Sequence, residues 1–291
     1  MLTQKQIKDL EIFAAEIRLG TVVEMTSFGM GHIGGAMSIA ETLAVLYGEI
    51  MNVDPKNPRW EQRDYFALSK GHAGPALYAT LAVKGFFPTD KLPTMNANGT
   101  MLPSHCSRVH TPGVDLTTGS LGQGISTAAG AALASRMLGA DNYAYCIVGD
   151  GECDEGQIWE GILFAAHQKL DNFVLIIDNN KVQLDGTTDD VCALGDLSAK
   201  MKDFNFYTQE VDGHDISALY EAFMNCKKQK GQANCVIIDT IKGKGCKMAE
   251  DAVKNGGMNH AMPFIDAEQN AAEIKRQQDA LAALKAERSA M

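Results

Sequence analysis

The chain has 291 residues, a formal net charge of −10 at pH 7, 45% hydrophobic and 21% charged residues, and seven cysteines. That length buries a sizeable core, while the acidic balance attracts neither nucleic acid nor an anionic membrane, though it leaves room for an anionic substrate at a locally positive site. An odd cysteine count without a CxxC pair, no run near the ~18 apolar residues of a membrane span and no signal-peptide core point to a cytoplasmic globular protein with reduced thiols.

Apolar side chains at helical spacing (Ile7, Leu10, Phe13, Ala14, Ile17, Val22 and Met25) predict a helix over 4–28. A second is expected over 38–51, with Ile39, Leu43, Leu46, Tyr47 and Ile50 on one side, before Pro55 and Pro58 open a loop. Short apolar runs at 65–68, 143–148, 173–177 and 235–238 read as buried strands, with a helix over 157–169 between the second and third. Continuous apolar strands separated by helices predict an α/β fold: a central parallel sheet with helices on both faces. Each run ends in polar or glycine residues: Ser69-Lys70-Gly71-His72, Gly149-Asp150-Gly151, Asp178-Asn179-Asn180 and Asp239-Thr240. In such sheets ligands bind beyond the carboxyl ends of the strands, so these endings share one functional edge. Residues 267–291 read as a surface or interface helix. With no repeat or linker, one domain over 1–291 is expected.

The 28 glycines cluster at 29–35, 119–130 and 149–161, which suggests tight turns around something small. Gly149-Asp150-Gly151-Glu152 is followed by a helix, a strand and Asp178-Asn179-Asn180-Lys181-Val182. Asp150 and Asn180 stand about one βαβ unit apart, each just past a strand. Neighbouring strands ~4.8 Å apart would let both side chains reach one small cation. Carboxylate, amide and carbonyl oxygens are hard donors suited to Mg²⁺ or Ca²⁺ rather than zinc. The amides of Gly149 and Gly151 and a nearby helix start would help hold a diphosphate.

This spaced pair resembles the GDG…NN motif of thiamine-diphosphate enzymes. The resemblance implies thiamine diphosphate as cofactor, with Mg²⁺ (or Ca²⁺ or Mn²⁺) held by Asp150, Asn180 and the Val182 carbonyl. Other segments narrow it to transketolase. Gly31-His32-Ile33-Gly34-Gly35 is similar to its GHPGG, with Ile33 for proline. Lys70-Gly71-His72-Ala73 matches KGHA, Thr118-Gly119-Ser120-Leu121-Gly122-Gln123-Gly124 matches TGSLGQG, and Leu102-Pro103-Ser104-His105 stands where the family has an LPGHP-like segment. The resemblance runs from about residue 10 to about residue 262.

Imidazole suits hydrogen bonding to sugar hydroxyls and proton shuttling near pH 7. The resemblance places His32, His72 and His105 along the channel to the thiazolium ring, His72 nearest the phosphates and His105 near the donor's terminal hydroxyl. It makes Gly119, Ser120, Leu121, Gly122, Gly149, Gly151 and Glu152 cofactor contacts. Glu155 corresponds to a family glutamate between the two halves of the enzyme. His260, in Asn259-His260-Ala261-Met262-Pro263, is an expected phosphate contact and catalytic residue, although Ala261 replaces a family glycine, and Lys244, in the preceding Lys242-Gly243-Lys244-Gly245 loop, is an expected cofactor contact.

A full-length transketolase is more than twice this long, and nothing here resembles the half that binds the aminopyrimidine and supplies the catalytic glutamate. The expectation is a second, C-terminal subunit carrying that half, in a heterotetramer. Ile158, Trp159, Ile162, Leu163 and Phe164 are candidates for the shared interface, or for the sheet's own core. The implied activity is ping-pong transfer of a two-carbon ketol unit from an anionic ketose, phosphorylated or sulfonated, to an aldose. The alternatives are an alpha-type subunit of another thiamine-diphosphate enzyme and a non-catalytic half that keeps the fold. A dinucleotide-binding oxidoreductase fails because no GxGxxG follows the first strand.

Overall fold

The computed structural model describes residues 1–254 and 260–291. Helix α1 spans Gln4–Phe28, opened by a capping box between Thr3 and Gln6 and closed by Gly29 at φ 89°. The two-residue strand β1, Met30–Gly31, leads into α2, Ile33–Met37, and α3, Ala40–Val45. Next come β2, Tyr65–Leu68, α4, Gly74–Lys84, and α5, Gln123–Met137. Strand β3, Ala144–Gly149, helix α6, Gly156–His167, and β4, Phe173–Asn179, form the βαβ unit expected around the GDG…NN spacing. The remaining elements are α7, Thr188–Cys192, α8, Leu197–Asp203, β5, Tyr207–Asp212, α9, Ile216–Lys228, and β6, Asn234–Asp239. The chain closes with α10, Lys247–Lys254, β7, Met262–Pro263, and α11, Ala267–Ser289.

Five strands pair in parallel in the order β2-β3-β4-β6-β5. Their apolar residues alternate between two cores. Ile147, Val174, Ile176, Val236 and Ile238 join the cluster that includes residues of α1, α3, α4 and α9. Cys146, Val148, Leu175, Ile177 and Cys235 join the cluster with α5, α6 and α8. Both faces are covered, which is why these strands read as unbroken apolar runs.

Three elements differ from the sequence expectation. The second helix begins at Ile33 and is broken around Ser38 and Ile39, before α3 runs into a π-type turn, Leu46–Ile50. Ser38 Oγ donates to Gly35 O at 3.2 Å and to Asp178 Oδ2 at 2.7 Å, an alternative to regular helix that periodicity does not reveal. Strand β5 was not expected because its sequence, Tyr-Thr-Gln-Glu-Val-Asp, is polar; it sits at the sheet's edge, where burial is partial. The β1–β7 pair is two residues long, too short for a pattern.

Of the segment proposed for the interface, Ile158 and Ile162 are wholly buried in the core, while Leu163 is 60% and Phe164 41% exposed. Helix α11 lies on α1, joined by Lys8–Glu287, Glu16–Lys285 and Asp9–Arg288 ion pairs. No helix among the described residues is long and apolar enough to cross a membrane.

Candidate active site

The sheet's register carries every strand-end motif to one edge. Gly149 stands opposite Asp178, and Asn179 opposite Asp239. Pairing continues one residue past four strands: Ser69 N–H to Ile147 O, Asp150 N–H to Asp178 O, Thr240 N–H to Asn179 O and Gly213 N–H to Asp239 O, at 2.8–3.3 Å. The backbone therefore fixes where the following side chains start.

At that edge is a cavity of about 170 Å³ whose lining includes Gly35, Lys70, His72, Leu121, Gly149, Asp150, Gly151, Glu152, Asn180, Val182, Lys242 and His260. Outside that lining, fully buried Asp178 holds two of its residues, Lys70 and Asn180, by hydrogen bonds. Asp178 Oδ2 accepts from Ser38 Oγ (2.7 Å), Lys70 Nζ (2.5 Å) and Asn180 Nδ2 (2.8 Å), and Oδ1 accepts from Thr240 Oγ1 (2.5 Å). Burial alone opposes its charge, but the Lys70 ammonium and these donors hold the carboxyl below the usual range. Because Asn180 donates its amide nitrogen to Asp178, its Oδ1 is turned away; that oxygen caps Val182 N–H at 3.2 Å.

Asp150 Oδ1 accepts from Gly151 N–H at 2.8 Å and Oδ2 from Lys181 N–H at 2.5 Å. Burial, and then the Asp178 carboxylate, push its carboxyl up to about 6. A cation beside it would offset that cost. The Val182 carbonyl accepts from Lys242 Nζ at 2.5 Å, so cationic charge is already directed at this oxygen. Among the described residues no cluster of three or more His, Cys, Asp or Glu side chains is arranged to hold a metal. The oxygens of Asp150, Asn180 and Val182 are a different set, suited to a hard cation that keeps water and phosphate ligands, and they fit the expected metal.

Glu152 reaches the cavity wall, but its acceptors are engaged internally. Oε1 takes Ser69 Oγ (2.5 Å) and Gly122 N–H (2.8 Å), and Oε2 takes Gly149 N–H (3.1 Å). It ties three motifs together. Gly122, at φ +82°, has no room for a side chain, since a Cβ would lie 2.9 Å from Glu155 Cβ. A Cβ on Gly71 would meet Gly119 N at 2.8 Å, so the glycine loop backs directly onto the KGHA turn. Leu121 lines the cavity and Gly119 abuts His105, whereas Ser120 and Glu155 are exposed and absent from the lining.

The four histidines meet. Ring centroids lie 5.4 Å apart for His32–His72, 6.0 Å for His32–His105, 5.2 Å for His32–His260 and 4.7 Å for His72–His260. Burial, then the neighbouring His260 and Lys70, hold His72 well below its ordinary value. Burial and Lys242 bring His260 down to about 4, and burial with His105 and Lys242 lowers His32. These three rings are neutral at pH 7, each with one donor and one acceptor nitrogen. Asn259, which precedes His260 in its motif, lies outside the described residues.

Of the two lysines in the Lys242-Gly243-Lys244-Gly245 loop, Lys242 is the one that reaches the cavity; Nζ lies 3.4 Å from His260 Nδ1, and burial brings its ammonium down to about 8. Lys244 is absent from the lining, and its carbonyl accepts from Arg18 Nε at 3.0 Å. In the Lys-Gly-Lys-Gly loop the backbone turn decides which lysine points inward, and spacing alone does not reveal it. Lys70 and Asp178 stand inside the strand-end motifs, but only the folded chain shows them as a buried ion pair.

Comparison with known proteins agrees with this geometry. Residues 11–279 match the family described as transketolase, thiamine diphosphate binding domain. The chain belongs to the transketolase family. It is 46% identical over 257 residues to the 6-deoxy-6-sulfo-D-fructose transketolase subunit SqwG of Clostridium sp. (strain MSTE9), covering 88% of this chain and 93% of that protein. It is 34% identical over 261 residues to one of the apulose-4-phosphate transketolase subunits of Phocaeicola vulgatus, covering 90% and 92%. Transketolase from Leishmania mexicana superposes with a TM-score of 0.79 at 28% identity, covering all of this chain but 48% of that one. The chain thus spans about half the length of the solved transketolases it resembles, and nearly all of the subunits.

Proposed function

We propose that this chain is the diphosphate-binding subunit of a two-chain, Mg²⁺-dependent transketolase that moves a two-carbon ketol unit from an anionic ketose to an aldose. The observation that carries the reading is one cavity lined by an oxygen donor set (Asp150, Asn180, Val182), two lysines (Lys70, Lys242) and the neutral rings of His72 and His260, with His32 packed against both. Thiamine diphosphate, when bound, supplies the carbanion chemistry. The chain's own residues do the rest. Asp150, Asn180 and the Val182 carbonyl would hold the metal, and Lys70 and Lys242 would balance the diphosphate charge. His72 and His260 would face the phosphates and the reacting centre. His32 and His105 would hydrogen-bond donor hydroxyls, and an imidazole can take and return protons there.

The C-terminal subunit would supply the pyrimidine-binding half and the catalytic glutamate, in a heterotetramer of two copies of each. That the chain covers more than nine-tenths of proteins named as transketolase subunits supports a separate partner. Their names also favour an anionic ketose as donor, and the 46% identity favours a sulfonated hexulose over a ketose phosphate. The test is ketol transfer with thiamine diphosphate and Mg²⁺, offering 6-deoxy-6-sulfofructose or ketose phosphates to aldose phosphates, with this chain alone and with its partner chain. Activity only with both chains, and a four-carbon sulfo-aldose released from the sulfonated donor, is expected. Robust turnover by this chain alone would refute the two-chain reading.

A further inference from the structure

We infer that His214, Glu41 and Arg18 form a brace that positions Lys242, and that the brace sets cofactor affinity from outside the cavity. The inference rests on the cofactor reading above. Lys242 stands on the loop over 240–246, which is held at almost every residue. Thr240 Oγ1 donates to Asp178, and Gly243 N–H donates to Gly34 O at 3.0 Å, beside the His32 segment.

From behind, Ile241 N–H donates to His214 Nε2 at 2.9 Å. That leaves His214 Nδ1 to donate to Glu41 Oε2, at 3.2 Å. Glu41 in turn accepts from Arg18 Nη2 at 2.6 and 2.7 Å, and Arg18 Nε donates to Lys244 O at 3.0 Å. The two ends of this chain of contacts grip the residues on either side of the Lys242–Gly243 pair. From α11, Arg276 and Gln277 both donate to Gly245 O.

The approach is close. Gly245 has φ +89°, and a Cβ there would lie 2.5 Å from Arg18 Nε; a Cβ on Gly213, before His214, would lie 2.4 Å from Thr240 Cγ2. Behind the loop is a cavity of about 540 Å³ lined by Arg18, Glu41, His214, Gly245, Arg276 and Gln277. The hydrogen bonds and these close glycine contacts together set the loop's position on that side. None of His214, Glu41 and Arg18 lines the cavity at the sheet edge, so they are positioning residues acting through Lys242.

The test is calorimetric titration of thiamine diphosphate, in Mg²⁺, into the full chain together with its partner chain. His214→Ala and Arg18→Lys should each raise Kd at least tenfold, and His214→Gln, which keeps an acceptor and a donor, should recover most of the loss. In a Lys242→Ala background, His214→Ala should change Kd by less than twofold, because its effect is already absent. A merely structural role would instead add its loss to that of Lys242→Ala, and additive losses would overturn the proposal. So would wild-type affinity in both Arg18→Lys and His214→Ala; Arg18→Lys retains the charge facing Glu41 and keeps the test open should His214→Ala fail to fold. Absence of binding by the wild-type pair would refute the cofactor reading itself and remove the brace's purpose with it.

Discussion

Replacing Asp150 by asparagine should stabilise the cation-free chain while abolishing its response to cofactor and metal. Asp150 is 2% exposed, and its carboxyl is pushed from 3.8 up to about 6 by burial and then by the Asp178 carboxylate. A carboxyl with a raised folded-state value favours the fold below about pH 4, and that contribution is lost as pH rises through about 6. About 2 units at ~1.4 kcal/mol each make the ionised group cost about 3 kcal/mol at pH 8. Asparagine removes the charge but offers one oxygen to the two N–H donors of Gly151 and Lys181, which returns about 1 kcal/mol. The net expectation from these two terms is a gain of about 2 kcal/mol at pH 8 and a loss of about 1 kcal/mol near pH 4.

Urea unfolding in EDTA at the two pH values measures both. With Mg²⁺ and thiamine diphosphate at a hundredfold excess over Kd, the wild type should gain ~2.7 kcal/mol and the variant nothing. A variant less stable than wild type at pH 8 without cation, or shifted equally at both pH values, would refute the reasoning.

Asp178→Asn should have the opposite effect. It deprives buried Lys70 of its counter-ion and disturbs four hydrogen bonds, so a loss of about 3–5 kcal/mol is expected from the urea midpoint; a loss under about 1 kcal/mol would show that the pair does not organise the site. Leu163→Glu, at an exposed position on α6, should leave stability within ~0.5 kcal/mol. In analytical ultracentrifugation it should weaken association with the partner chain at least tenfold, and unchanged association would place the interface elsewhere.

The sequence by itself determined the parallel sheet, because both of its faces are buried and its central strands are therefore apolar without interruption. It also determined the Asp150–Asn180 pair, since a βαβ unit converts a fixed spacing into adjacency across neighbouring strands. Gly122 and Gly124 were legible as close approaches, since a Cβ would lie 2.9 Å from Glu155 Cβ at the first and 2.5 Å from Ser69 Oγ at the second. Only the tertiary structure decided the rest. Edge strand β5 carries no apolar run because half its surroundings are water. Helices α2 and α3 part at Ser38 for a hydrogen bond to an aspartate far along the chain. Lys242 rather than Lys244 enters the site, because contacts from His214, Arg18 and Gly34 set the loop's turn. Local patterning records what a residue buries; which of two neighbouring lysines faces a cavity depends on partners distant in sequence, and only the folded chain brings those together.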